Sequence, residues 1–103
     1  MIYFITDTRN IKIGYTKGKI EKRLQQLQTS CSDNLYILGW IDGNMKMEKQ
    51  LHIKFNSSKT RSNGEWFYPT EDLLEYINSN NQRNNTYVDF VDGKLMALLK
   101  IST

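Results

Sequence analysis

A chain of 103 residues, 39% of them hydrophobic, has room for one modest core and not two. No apolar run approaches the roughly 20 residues that cross a bilayer, and no basic stretch followed by an apolar segment opens the chain, so neither a membrane partner nor a secretory leader is expected. Cys31 is the only cysteine, which excludes an internal disulfide and suits a reducing, cytoplasmic compartment. The net charge of +3 is too small to demand a polyanionic partner, but its distribution is uneven. Arg9, Lys12, Lys17, Lys19, Lys22 and Arg23 fall within fifteen positions that contain one acid, Glu21. Lys46, Lys49, Lys54, Lys59 and Arg61 form a second stretch, with Glu48 its only acid. Clustering of this kind gives either a solvated face or a track for a phosphate backbone.

The elements follow in chain order. Residues 1–6 (MIYFIT) and 11–15 (IKIGY) are short β-prone runs around the turn formers Asp7-Thr8-Arg9-Asn10, which predicts a hairpin. After the Lys17-Gly18 turn, residues 19–28 carry Ile20, Leu24 and Leu27 at helical spacing, with Arg23 beside that stripe. A loop over 29–34 leads into the continuous apolar run 35–41 (LYILGWI), read as a central strand buried on both faces. A second helix is predicted over 45–55, a polar loop over 57–64, and a short aromatic strand over 65–68. Pro69 and Thr70 open a third helix, with Thr70 as N-cap and Glu71 and Asp72 in its first turn. Residues 79–85 (SNNQRNN) read as a flexible linker, and Asp92-Gly93 signals a C-terminal hairpin over 87–101, with a short helix over 94–101 as the alternative because its residues are good helix formers. The expected fold is α+β, a small central antiparallel sheet flanked by helices, with a core over 1–79. Residues 80–103 are an extension packed on that core or on a dimer partner.

Glu48, Leu51, His52 and Phe55 recur at i, i+3, i+4 and i+7, so a carboxylate and an imidazole share a stripe with core residues. Ionised groups next to a core need a partner, because desolvating them costs several kcal/mol. A Glu48–His52 pair satisfies that need, and so does a bound cation. Tyr3 and Arg23 are each accounted for by packing and solvation when taken singly.

Their order carries more. Ile2-Tyr3, Lys12-Ile13-Gly14-Tyr15-Thr16, Arg23-Leu24-Gln25-Gln26-Leu27, Glu48 to His52 and Glu65-Trp66-Phe67 together resemble the GIY-YIG nuclease superfamily, in its phage-type branch. Met1 stands where the superfamily has glycine, and Lys12 where it has a second tyrosine; Asn63 is nearest its late asparagine. The resemblance implies a metal-dependent endonuclease that hydrolyses DNA; the sequence does not distinguish DNA from RNA as its substrate. Glu48 would hold Mg²⁺ or Mn²⁺, Arg23 the non-bridging oxygens, and Tyr3 or His52 the proton of the attacking water. It further implies that Lys12 favours the Tyr3 phenolate, that Arg9, Lys17, Lys19 and Lys22 follow the nucleic acid, and that Gly14 and Glu65 support the site. The alternative is a catalytically inactive nucleic-acid-binding or protein-interaction module on the same fold.

Overall fold

The computed structural model of the chain describes residues 1–60 and 64–101. Ile2–Thr6 (β1) and Ile11–Tyr15 (β2) form the expected antiparallel hairpin, with Tyr3 opposite Gly14 and Ile5 opposite Lys12. The side chain of Asp7 builds the turn: its Oδ1 accepts from the Arg9 and Asn10 amides at 3.0 and 2.8 Å. Tyr36–Ile41 (β3) pairs with β1, and Trp66–Phe67 (β4) pairs with β2 at Ile11 and Lys12, giving the order β3-β1-β2-β4. The fold is α+β, with a C-terminal two-stranded hairpin beside this sheet.

Side chains alternate across the sheet, so each strand serves two layers. Tyr3 and Ile5 join Leu35 and Ile20 of the first helix, Ile20–Gln28 (α1), with Leu24 and Leu27 packed at the margin. Ile2, Phe4, Ile11 and Ile13 point the other way. There they meet Leu51 of Met45–Lys54 (α2), Phe55 at the end of that helix, and Leu73 and Ile77 of Glu71–Asn80 (α3). Asn44 caps α2, its Oδ1 accepting from the Met47 amide at 2.9 Å. Thr70 precedes α3 as expected, but its hydroxyl bonds Ser58 Oγ at 2.9 Å and makes no cap.

Two expectations are corrected. The apolar run 35–41 is an edge strand, not a central one; β1 lies inside the sheet. Layers on both faces account for the run's unbroken hydrophobicity, and its outer edge is closed by the segment read as a flexible linker. Ser79 and Asn80 finish α3, and Asn81 then reaches β3. Asn81 Oδ1 accepts from Trp40 N at 3.1 Å and from Arg83 N at 2.9 Å, while Nδ2 donates to Leu38 O at 3.4 Å. The Gln82 amide donates to Trp40 O at 2.8 Å and the Arg83 guanidinium to Ile37 O. Gly39 permits this approach, since a Cβ there would overlap the Asn81 amide. An edge strand with unpaired amides invites wrong pairing, and this polar segment blocks it. Asn81→Ala strands the Trp40 and Arg83 amides and should cost about 1–3 kcal/mol, read as a lower melting temperature.

Thr86–Val91 (β5) and Lys94–Leu99 (β6) form the predicted hairpin. Asp92 and Gly93, at φ 51° and 77°, make its two-residue turn with both central residues left-handed. Val88 and Leu95 enter the core beneath β1 and β2. Asn78 Oδ1 accepts from the Val88 amide at 2.7 Å, and the Leu95 amide donates to Thr8 O at 2.8 Å. The inner face of the extension is thus occupied by the chain's own core. Among the described residues no helix is long and apolar enough to cross a membrane.

Candidate active site

The β1–β2 pairing sets Tyr3 across from Gly14, and the Tyr3 ring lies flat over that glycine. A Cβ at position 14 would overlap the phenol hydroxyl and ring carbons, so only glycine fits. Tyr3 is 1% exposed, and its hydroxyl accepts from Arg23 Nε at 3.4 Å. This hydrogen bond pushes the Arg23 guanidinium above its ordinary pKa, against a smaller opposing effect of burial; the charges of Tyr3 and Glu65 act in the same upward direction. Arg23 is therefore a fixed cation, held from below by a buried phenol.

Lys12 lies on the same face, opposite Ile5. Its Nζ pairs with Glu65 Oε2 at 2.9 Å and sits 5.6 Å from the centre of the Trp66 ring. Lys12, expected to act on Tyr3, pairs with Glu65 instead, and the cation on the Tyr3 hydroxyl is Arg23. Glu65 is a partner of Lys12 rather than an isolated marker.

On the other side of β2, α2 presents Glu48 and His52. Beyond Lys12 the outer edge of this strand has left β4 behind. There the Ile13 amide donates to Glu65 O at 3.1 Å, and the Ile13 carbonyl accepts from His52 Nε2 at 2.8 Å. The same nitrogen lies 3.2 Å from Glu48 Oε1. Both partners are acceptors, so Nε2 carries a proton, and in the neutral ring the lone pair is on Nδ1. The Phe67 ring, edge-on with centroids 5.1 Å apart, fixes the imidazole plane. Glu48 and His52 keep 14% and 15% of their side chains exposed, so they border the core without being sealed in it.

Arg23 and Glu48 thus belong to helices on opposite faces. One stretch of backbone joins their clusters: Tyr3 rests on Gly14, and His52 binds the carbonyl of Ile13, the residue before it. The expected surface cations do not form a single track. Lys17, Lys19 and Lys22 are exposed around the start of α1. Arg9 lies in the turn at the far end of β2, about 17 Å of strand away. Asn63 and Arg61 fall outside the described residues. Sequence reasoning missed Asn81 and Arg83, whose only signal was a run of polar residues.

These contacts define a small α+β domain with a polar site astride its second strand. A family model, that of the T5orf172 domain, matches residues 1–81, and the chain belongs to that family. No curated protein and no solved structure gives a match. Membership of the GIY-YIG superfamily, suggested by the ordered motifs, is corrected by this finding: the matching family is a different one. The motifs behind that reading are only two to five residues long, and at Met1 and Lys12 the chain already departed from them.

Proposed function

We propose that the chain is a divalent-metal-dependent endonuclease that hydrolyses the phosphodiester bonds of DNA. The observation that supports this reading is that one stretch of backbone, Ile13–Gly14, carries both the carbonyl bound by the Glu48–His52 pair and the glycine under Tyr3, which holds Arg23. The donor set suits a hard cation. Glu48 is a carboxylate at the edge of the core, and among the described residues its second oxygen has no protein partner. Mg²⁺ is commonly held by one or two carboxylates together with waters and substrate phosphates. The described residues contain no group of three or more His, Cys, Asp and Glu side chains, so an all-protein cage of the zinc type does not fit.

Glu48 would hold Mg²⁺ or Mn²⁺, whose positive charge would offset the negative charge that builds up on the phosphate oxygens. Arg23 faces the non-bridging oxygens with a planar fork, which Lys could not reproduce. Tyr3 is a positioning residue: at 1% exposure its hydroxyl orients Arg23 and does not meet the attacking water. That leaves the proton of the water to His52 Nδ1, with Glu48 accepting from Nε2 and stabilising the imidazolium that forms. Lys17, Lys19 and Lys22 track the nucleic-acid backbone beside α1.

The test is incubation of the purified full chain with supercoiled plasmid, labelled single and double strands of DNA, and RNA, with Mg²⁺, Mn²⁺ or chelator. Nicking or cleavage that needs the metal supports the reading. Binding without cleavage under every metal condition leaves a nucleic-acid-binding module instead. His52→Ala should slow single-turnover cleavage about 10²- to 10⁴-fold, and saturating metal should not restore the rate. Recovery of the rate at high metal would reduce His52 to an orienter of Glu48.

A further inference from the structure

We propose that a cavity next to the Tyr3–Arg23 pair takes an unpaired nucleobase, stacked on the Trp40 indole, with the adjoining phosphate held by Lys17 and Lys19. The proposal rests on the reading that this face meets nucleic acid, and it names the substrate class: a strand with at least one base out of the duplex stack.

The cavity has a volume of about 470 Å³ and lies between the residues that enter α1 and the end of β3. Lys17, Lys19 and Glu21 line it together with the apolar Met1, Ile20 and Trp40. Trp40 is half-buried and pairs with Tyr3 across β1 and β3, so its ring is on the Tyr3 face of the sheet. Arg23 is one helical turn beyond Lys19, its amide donating to Lys19 O at 3.2 Å. A strand with its phosphate at Arg23 therefore has a neighbouring nucleotide within reach of the cavity.

The chemistry of the walls separates the parts of a nucleotide. A partly exposed indole lining the cavity offers a sequence-tolerant stacking surface, which a base can use only when it is out of the duplex. The lysines attract phosphate, while Glu21 repels it and can accept from an exocyclic amino group. Gly18 also lines the cavity, and an added Cβ there would meet no atom within 4 Å. The cavity can thus be filled from that position without straining the fold.

The experiment uses the full chain carrying Glu48→Gln, so that no strand is cut, and Trp66→Phe, so that Trp40 is the sole tryptophan. A ten-nucleotide DNA single strand of mixed sequence should quench its fluorescence. A strand of equal length without bases should bind about tenfold more weakly and leave the fluorescence unchanged. Trp40→Ala and Gly18→Leu should each weaken binding of the full strand by a similar factor, the second without touching the packing of Trp40. Binding without quenching, or undiminished affinity in a folded Gly18→Leu variant, overturns the proposal. Quenching in a protein whose wild type never cleaves removes the nuclease reading and leaves the base site. Cleavage by wild type with no quenching does the reverse.

Discussion

If the chain cleaves DNA as proposed, Glu48→Gln should abolish cleavage, lowering the single-turnover rate by about 10³-fold or more, while the far-ultraviolet circular dichroism and melting temperature stay near those of wild type. The two halves of this expectation have separate causes. Glutamine is isosteric, and its carbonyl oxygen still accepts from His52 Nε2, so the 3.2 Å contact and the 2.8 Å bond to the Ile13 carbonyl survive. The charge does not survive. A neutral amide is a poor ligand for Mg²⁺ or Mn²⁺, and it no longer stabilises a protonated His52. Removing one electrostatic contributor to a transition state typically costs 10²–10³-fold, and here one side chain supplies two such contributions. A variant with near-normal cleavage would take Glu48 out of the chemistry altogether.

Gly14→Ala is the second large effect, and it acts on fold and site together. The added methyl group would occupy space held by the Tyr3 ring and hydroxyl. That ring cannot swing away, because Tyr3 is fully packed among Ile5, Ile20 and Leu35. Overpacking of this kind costs about 1–3 kcal/mol, and relief requires the strands to part or the phenol to shift. In a domain of this size that lowers the melting temperature by several degrees or more. Displacing the phenol also removes the hydrogen bond that orients Arg23, so cleavage should fall further than stability alone explains. Tyr3→Phe separates the two effects: it keeps the ring on Gly14 and removes only the hydroxyl, so it should spare most of the stability and still slow cleavage.

Local pattern made most of the elements legible. The β-branched runs around Asp7–Asn10, the stripe of Leu51 on α2 and Phe55 at its end, and the Asp92-Gly93 turn each carry their conformation in neighbouring residues. Sheet order was not legible in the same way. The run 35–41 is as apolar as a central strand because α1 covers one face and the core of α2, α3 and the hairpin covers the other. What closes its edge is a set of side-chain-to-backbone bonds from Asn81 and Arg83, chemistry that polar composition does not distinguish from a solvated linker. In the site, the spacing of Glu48 and His52 announced their pairing. The depth of Tyr3 did not show, because a tyrosine opposite a glycine can face water or lie down on it. Its burial is the reason the proposed reaction gives proton transfer to His52. Family membership was the least legible of all, since motifs of a few residues recur across unrelated domains.

The two clusters serve one phosphate only if they act together, and a coupling measurement decides that. Single-turnover cleavage of a labelled oligonucleotide would be compared for wild type, Arg23→Lys, Glu48→Asp and the double variant, at saturating metal. Groups that stabilise one transition state as a unit lose little more when both are altered than when either is. The double variant should therefore be close in rate to the slower single variant. Losses that multiply, or a single variant as fast as wild type, would mean that the Ile13–Gly14 backbone separates two unrelated sites.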